Sequence, residues 1–198
     1  TTAYDALGRP VAVTDPLGNV TAITEDKLGR PTQTTDALGN FTTRQYDGAG
    51  RDFVNYDANR NFAQYGYDGA SRVKTVSQPG TTVQYTYDPR GNRLTVQSFN
   101  SSQPTTFTYD LANRVLSETT PPAYNGVPVT TSYSYDPSGN RQTKTDGMSQ
   151  VTQYAYDHDR RLTRVDFQDG SHYDYAYDSR GNRTLERHVD ATGKIVSE

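Results

Sequence analysis

The side chains that could do acid–base or metal chemistry in this sequence are few and scattered. The histidines are His158, His172 and His188, and they stand in unrelated positions, whereas a metal site needs its ligands to converge. Ser171, His172 and Asp174 have the residue types of a hydrolytic triad. Neighbours on one strand alternate faces, however, and could not form a relay. The sequence has no cysteine, which excludes disulfides and thiolate chemistry. We therefore predict no enzyme activity, no cofactor and no metal.

What recurs instead is the unit Tyr-Asp-x-x-Gly followed by Arg or Asn. An Asp in the first turn position can accept hydrogen bonds from the backbone ahead of it, and a Gly in the fourth position supplies the left-handed conformation of a bulged hairpin turn. Arg60 and Arg160 occupy that glycine position in two further turns, which we expect to be strained or of another type. The predicted turn residues are Asp5, Gly8, Asp15, Gly18, Asp26, Gly29, Asp36, Gly39, Asp47, Gly50, Asp88, Gly91, Asp136, Gly139, Asp178 and Gly181.

The spacing of these turns predicts the elements that position them. Early in the chain the Asp residues alternate between spacings of 10 and 11 residues, which gives one hairpin per 21 residues. Thr and Val are abundant and there are 16 Tyr, a composition that suits strands. We predict an all-β fold of tandem antiparallel β-hairpin repeats. Because a long open sheet must twist, we expect a curved or spiralling ribbon.

A second regularity, Tyr-x-Tyr-Asp, precedes many turns. The side-chain period of a strand is 2, so both rings point to one face and should form an aromatic ladder. The hydrophobic fraction is only 32%, which favours these rings as the core; a platform that binds sugars or other ligands is the alternative. The predicted ladder consists of Tyr65, Tyr67, Tyr85, Tyr87, Tyr109, Tyr133, Tyr135, Tyr154, Tyr156, Tyr175 and Tyr177.

The repeats change along the chain. We expect residues 1–198 to be a single array and a piece of a larger protein, with Asp turns on both rims over 1–62 and one variable rim over 63–198. The longest departure is at 119–128. Loops that depart from a rigid scaffold often carry function, although an ordinary insertion explains this one as well. The candidate interaction loop is Pro121, Pro122, Tyr124 and Asn125.

Charge and hydropathy exclude two classes of partner. The net charge is -3 and the Lys and Arg residues are scattered singly, which argues against nucleic acid. No apolar run approaches the ~18–20 residues of a membrane-spanning helix.

The alternating turns, such as Tyr46-Asp47-Gly48-Ala49-Gly50-Arg51 and Asp15-Pro16-Leu17-Gly18-Asn19, resemble the Rhs/YD-repeat family over essentially the whole chain. The family includes bacterial polymorphic toxins, Tc toxin cocoon subunits and animal teneurins. The resemblance implies a segment of a hollow shell in a secreted or cell-surface protein, most often an exported bacterial one. Its partners would be the rest of its own shell and a C-terminal toxin or effector. The family's self-cleaving boundary motif is missing here.

Two other functions fit the same sequence. One is a cell-surface adhesion or carbohydrate-binding module that uses exposed Tyr, Asn and Arg side chains. The other is a self-assembling β-filament, because unpaired edge strands can add further copies of the chain.

Overall fold

The computed structural model describes residues 1–122 and 126–198, over which the chain forms nineteen β-strands. The first nine are β1 (Thr2–Tyr4), β2 (Pro10–Thr14), β3 (Val20–Glu25), β4 (Pro31–Thr35), β5 (Phe41–Tyr46), β6 (Asp52–Tyr56), β7 (Phe62–Tyr67), β8 (Val73–Gln78) and β9 (Thr81–Tyr87). The others are β10 (Arg93–Ser98), β11 (Thr105–Tyr109), β12 (Val115–Thr120), β13 (Val129–Tyr135), β14 (Arg141–Thr145), β15 (Val151–Tyr156), β16 (Leu162–Asp166), β17 (His172–Tyr177), β18 (Arg183–Val189) and β19 (Ile195–Ser197).

The chain divides into two compact units. The first contains Thr1–Thr86 and Gln97–Asn100, and the second contains Tyr87–Val96 and Ser101–Glu198. In the first unit, each strand from β1 to β8 pairs antiparallel with the next strand in sequence. In the second unit, β10 to β18 pair in the same way with their successors. The fold is an open sheet of tandem antiparallel hairpins, so the predicted all-β class is confirmed.

The hairpin ends fall into two sets that alternate along the chain. We name the first set the Tyr-Asp turns; they begin at Asp5, Asp26, Asp47, Asp68, Asp88, Asp110, Asp136, Asp157 and Asp178. We name the turns that separate them the alternate turns. Hairpins closed by Tyr-Asp turns carry a bulge: Gln45 pairs with Val54 and Tyr46 with Asp52, which leaves Phe53 as an extra residue. Such bulges increase the local twist.

Little apolar surface is fully buried. Among the described residues, the buried apolar side chains are Val54, Val165 and Val189, each 8% exposed. The sheet therefore has no thick hydrophobic core. Backbone ladders and the contacts at the turns must supply a large share of the stability of the folded chain.

Candidate functional site at the turns

The Asp side chain closes each turn together with the backbone. In the first turn, the backbone N–H of Asp5 donates to the carbonyl of Arg9 at 2.9 Å, and that of Gly8 donates to the carbonyl of Asp5 at 3.0 Å. The Oδ1 atom of Asp5 accepts hydrogen bonds from the backbone N–H groups of Leu7 and Arg9, both at 2.9 Å. The same pair of backbone bonds recurs at all the predicted Asp–Gly turns, from Asp5 and Gly8 to Asp178 and Gly181.

The fifth turn residue completes this arrangement, a role that the sequence did not predict. Arg9 Nε donates to the second carboxylate oxygen of Asp5 at 2.8 Å, while Asn19 Nδ2 donates to the equivalent oxygen of Asp15 at 2.8 Å. Arg and Asn thus interchange because each brings an N–H donor to the same acceptor. The restriction of this position to these two residue types in the repeat unit was the available signal.

The glycine position is left-handed throughout these turns. The predicted glycines have φ between 76° and 94°, and Arg60 and Arg160 adopt 65° and 63°. The turns at Arg60 and Arg160 keep the same backbone hydrogen bonds, so they are strained and not of another type. A left-handed conformation costs a residue with a Cβ atom about 1–2 kcal/mol.

These hydrogen bonds lower the pKa of the turn carboxyl groups. Bonds from the side chain and then the backbone N–H of Arg30 hold the pKa of Asp26 below its usual value. In the alternate turn at Asp15, the side chain and then the backbone N–H of Asn19 lower the pKa of that carboxyl. The folded chain therefore favours ionised turn carboxylates.

The ladder tyrosines lie on the more covered face of their strands. Residues between them, such as Thr86, Ala155 and Ala176, are exposed. Every tyrosine of the predicted ladder is half-buried: Tyr65, Tyr67, Tyr85, Tyr87, Tyr109, Tyr133, Tyr135, Tyr154, Tyr156, Tyr175 and Tyr177.

The tyrosine before the turn joins its hairpin to the preceding one. The hydroxyl of Tyr67 donates to the backbone carbonyl of Asp52 at 2.8 Å. In the second unit, Tyr135 donates to Val115 and Tyr177 to Leu162, both at 2.9 Å. Each acceptor directly follows the fifth residue of the previous Tyr-Asp turn.

The arginine of the preceding turn lies over the ring of the same tyrosine. The guanidinium carbon of Arg51 is 4.2 Å from the ring centre of Tyr67, and that of Arg114 is 4.4 Å from Tyr135. Where Glu25 replaces the tyrosine, Arg9 Nε lies 3.4 Å from the Glu25 carboxylate instead. The arginine thus contacts both its own turn and the next hairpin, as a cation–π donor or as an ion pair.

The alternate turns are less uniform in sequence but often keep the same backbone. The turn at Asp146, which the repeat unit did not predict, has both backbone bonds and both N–H bonds to the Asp146 Oδ1 atom, with Ser149 in the left-handed position. At Phe167 the two backbone bonds form without an Asp in the first position. In the predicted interaction loop, Pro121 and Pro122 are half-buried, whereas Tyr124 and Asn125 lie outside the described residues.

The residues with catalytic types do not assemble a reactive site. The hydroxyl of Ser171 donates to Asp169 Oδ1 at 2.7 Å, while His172 Nε2 lies 3.4 Å from Asp174 Oδ2. His158 is exposed in its turn, and His188 stacks on Tyr173 at 4.5 Å between ring centres. Across residues 1–122 and 126–198, no group of three or more His, Cys, Asp or Glu side chains is placed to hold a metal ion.

Comparison with known proteins agrees with this repeat geometry. The RHS repeat family model matches residues 26–51 and 67–103. These segments are RHS repeats, and the resemblance seen in the sequence is confirmed. Among curated proteins, no sequence matches the chain. In the part of the chain that the structure describes, no helix is long and apolar enough to cross a bilayer.

Solved Tc toxin structures share the fold. TcdB2-TccC3 without its hypervariable C-terminal region superposes with a TM-score of 0.64 at 15% identity, over 98% of this chain and 13% of that chain. For TcdB2-TccC3-TEV the TM-score is 0.62 at 18% identity, over 96% of this chain and 13% of the other. The Photorhabdus luminescens Tc holotoxin pore gives 0.61 at 16% identity, again over 96% and 13%. The chain therefore spans only 13% of these structures' chains, and the likeness concerns the fold alone.

Proposed function

We propose that this chain is a wall segment of a secreted Rhs-type shell, a non-catalytic scaffold that encloses or presents a toxin or effector domain of its parent protein. The observation that carries the proposal is the contact between successive Tyr-Asp turns. The Tyr67 hydroxyl and the Arg51 guanidinium join neighbouring hairpins in addition to the strand ladder. The RHS repeats and the fold shared with the Tc structures support it.

A wall requires an extended sheet that keeps its form without a thick core. Three side chains supply that here: the Asp closes the turn, the Arg or Asn binds the Asp, and the Tyr contacts the neighbouring hairpin. None of the three needs a ligand for this role. The turn residues and ladder tyrosines are accordingly structural in this proposal, and residues 1–198 act as one array.

The partners follow from the same role. The wall segment would contact further repeats of its parent chain and the domain they enclose, and the parent protein would act outside the cell or at its surface.

Protection of the enclosed domain tests the proposal. In the full-length parent protein, we expect a protease to cleave the C-terminal domain slowly while the wall is intact. Tyr67→Leu together with Tyr135→Leu removes two of the hydroxyl–carbonyl bonds between hairpins and should speed cleavage by about tenfold, as the wall opens locally more often. Leu17→Ala is the matched control, because Leu17 is 87% exposed in an alternate turn.

Two results would overturn the proposal. One is a parent protein whose C-terminal domain is cleaved as fast as the free domain. The other is a solid particle without an internal space in electron micrographs of the intact parent.

A further inference from the structure

An aromatic cluster lies in the first unit at the alternate turn Asp57–Asn61. Tyr56 and Phe62 are paired residues at this hairpin end, with ring centres 6.3 Å apart and ring planes at 52°. Phe62 and the ladder residue Tyr65 are three positions apart on one strand, so the cluster lies on the face opposite the ladder. Phe41, from the neighbouring hairpin, completes it. Tyr56 is 36% exposed and Phe41 37%.

The turn beside this cluster departs from its equivalents. The alternate turns before it use Gly18 and Gly39 in the left-handed position, but here Arg60 adopts a φ of 65°. Its guanidinium carbon lies 5.7 Å from the ring centre of Phe41. Ser149 holds the same left-handed position in another alternate turn, so the placement of the Arg60 side chain beside Phe41 is what sets this turn apart.

The charge of Arg60 is available to a ligand. Within residues 1–122 and 126–198, no carboxylate lies within ion-pair distance of its guanidinium. The nearby Asp57 carboxylate accepts hydrogen bonds from the backbone and side chain of Asn61 at 2.8 and 2.9 Å. Arg60 thus presents a guanidinium without an ion-pair partner beside exposed aromatic rings, in a site that the Asp57 carboxylate also lines.

These groups line a concave site of about 200 Å³, formed by Phe41, Thr43, Tyr56, Asp57 and Arg60. This is smaller than the ~300–1,000 Å³ of a site for a drug-sized molecule and fits a single ring. Aromatic rings offer an apolar surface, and a guanidinium pairs with a carboxylate through two parallel hydrogen bonds. A pyranose ring with a carboxylate substituent has both features, because its C–H face is apolar and its edge is charged.

We propose that this cluster binds a carboxylated sugar residue, with the C–H face of the sugar on Tyr56 and Phe41 and the carboxylate on Arg60. The hydroxyl of Thr43 is placed to contact the sugar hydroxyls. The site is independent of the wall role proposed above, since it uses the opposite face and different residues.

Binding of an oligogalacturonate to the 198-residue chain, followed by NMR titration, tests the site. A neutral galactose oligomer of the same length and a polyglutamate peptide are the comparison probes. We expect the oligogalacturonate to shift the Tyr56 and Phe41 ring signals and to bind about tenfold more tightly than the neutral oligomer, since a charge-assisted hydrogen bond distinguishes them. Polyglutamate should bind more weakly than the oligogalacturonate, because it lacks the apolar ring face.

Arg60→Gly separates binding from folding. Glycine relieves the left-handed backbone, so the melting temperature should rise while affinity for the oligogalacturonate falls about tenfold. Arg160→Gly is the matched control: it relieves the same conformation, at φ 63°, in a Tyr-Asp turn and should raise the melting temperature with binding unchanged. Tyr56→Thr, which introduces the residue found at the equivalent positions 14 and 35, should also weaken binding.

The proposal is overturned if Arg60→Gly binds as tightly as the original chain. It is equally overturned if the neutral oligomer binds as tightly as the oligogalacturonate, because the carboxylate would then contribute nothing. The same holds if polyglutamate binds as tightly, because the sugar ring would then contribute nothing.

Discussion

The Tyr-Asp turns and the alternate turns share one backbone but differ in how far their side chains reach. At a Tyr-Asp turn such as Asp47–Arg51, the fifth residue binds its own Asp and lies over the tyrosine of the next hairpin. At the alternate turn Asp36–Asn40, the shorter Asn40 side chain binds only its own Asp. Alternate turns of this type end in Asn19, Asn40, Asn61, Gln150, Ser171 and Lys194.

This difference explains where the repeat can vary. A change in a Tyr-Asp turn that ends in arginine disturbs two hairpins, because the arginine and the tyrosine it covers belong to different repeats. A change in an alternate turn disturbs one. The two longest gaps between successive strands, from β10 to β11 and from β12 to β13, both fall at alternate turns. The short reach of these side chains gives a physical reason for the variable rim, which stays a prediction from the sequence.

Acid should produce the largest effect, and it should act on both sets of turns. The folded chain lowers the pKa of turn carboxyls of both sets, among them Asp26 and Asp15. The unfolded chain therefore binds more protons as the pH falls below about 4, near the pKa of a free Asp side chain. Stability should be nearly constant from neutral pH to about pH 5 and should fall steeply below pH 4. Thermal unfolding followed by circular dichroism measures this. Unchanged stability at pH 2 would contradict it.

Removing one carboxylate from each set of turns should show how much more a Tyr-Asp turn contributes to stability than an alternate turn. Asp47→Ala frees Arg51 as well as the turn N–H groups, whereas Asp36→Ala affects one turn only. We expect the melting temperature to fall by several degrees for Asp47→Ala and by clearly less for Asp36→Ala. Equal losses in the two variants would show that the Arg51 contact with the next hairpin adds nothing.

The contact between hairpins can be isolated with a double-mutant cycle. Arg51→Asn retains a donor for Asp47 but cannot cover the ring of Tyr67, and Tyr67→Leu removes the ring. We expect a coupling free energy of about 0.5–1 kcal/mol from chemical denaturation. Asn40→Ser combined with Tyr67→Leu is the control pair and should be additive, since Asn40 bonds its own Asp36.

The smallest effects should come from serines in the left-handed position. Ser149, in an alternate turn, has a φ of 64°, and Ser149→Gly should raise the free energy of unfolding by about 0.5–1 kcal/mol. Ser71 has a φ of 62°, but its hydroxyl also accepts a hydrogen bond from Arg51 Nη1 at 2.9 Å. Ser71→Gly should therefore raise the free energy of unfolding by less than Ser149→Gly does. A larger increase in the free energy of unfolding for Ser71→Gly than for Ser149→Gly, measured by chemical denaturation, would contradict this prediction.

Local chemistry made the turns and strands predictable from the sequence. Asp47 and Gly50 act within one five-residue segment, so spacing and residue type suffice to place them. The common face of Tyr65 and Tyr67 likewise follows from the period of a strand.

Contacts between repeats were not predictable in the same way. The partner of Arg51 is Tyr67, and their meeting depends on the strand register between two hairpins. The Phe167 turn could not be matched to the repeat unit because it has no Asp in the first position; Asp169 instead accepts hydrogen bonds from the backbone N–H and hydroxyl of Ser171. The cluster of Phe41, Tyr56 and Phe62 likewise belongs to no motif, since register alone brings its rings together.

The pairing of each strand with its successor has a consequence for how the chain is made. A strand leaving the ribosome meets its partner about one turn later, so loop closure is short and its entropic cost low. Hairpins can then be added in order from the N-terminal end, each using the edge left by the previous one as its template. Such a chain would fold as it is synthesised, because each edge strand pairs with the next strand to be made and needs no distant segment.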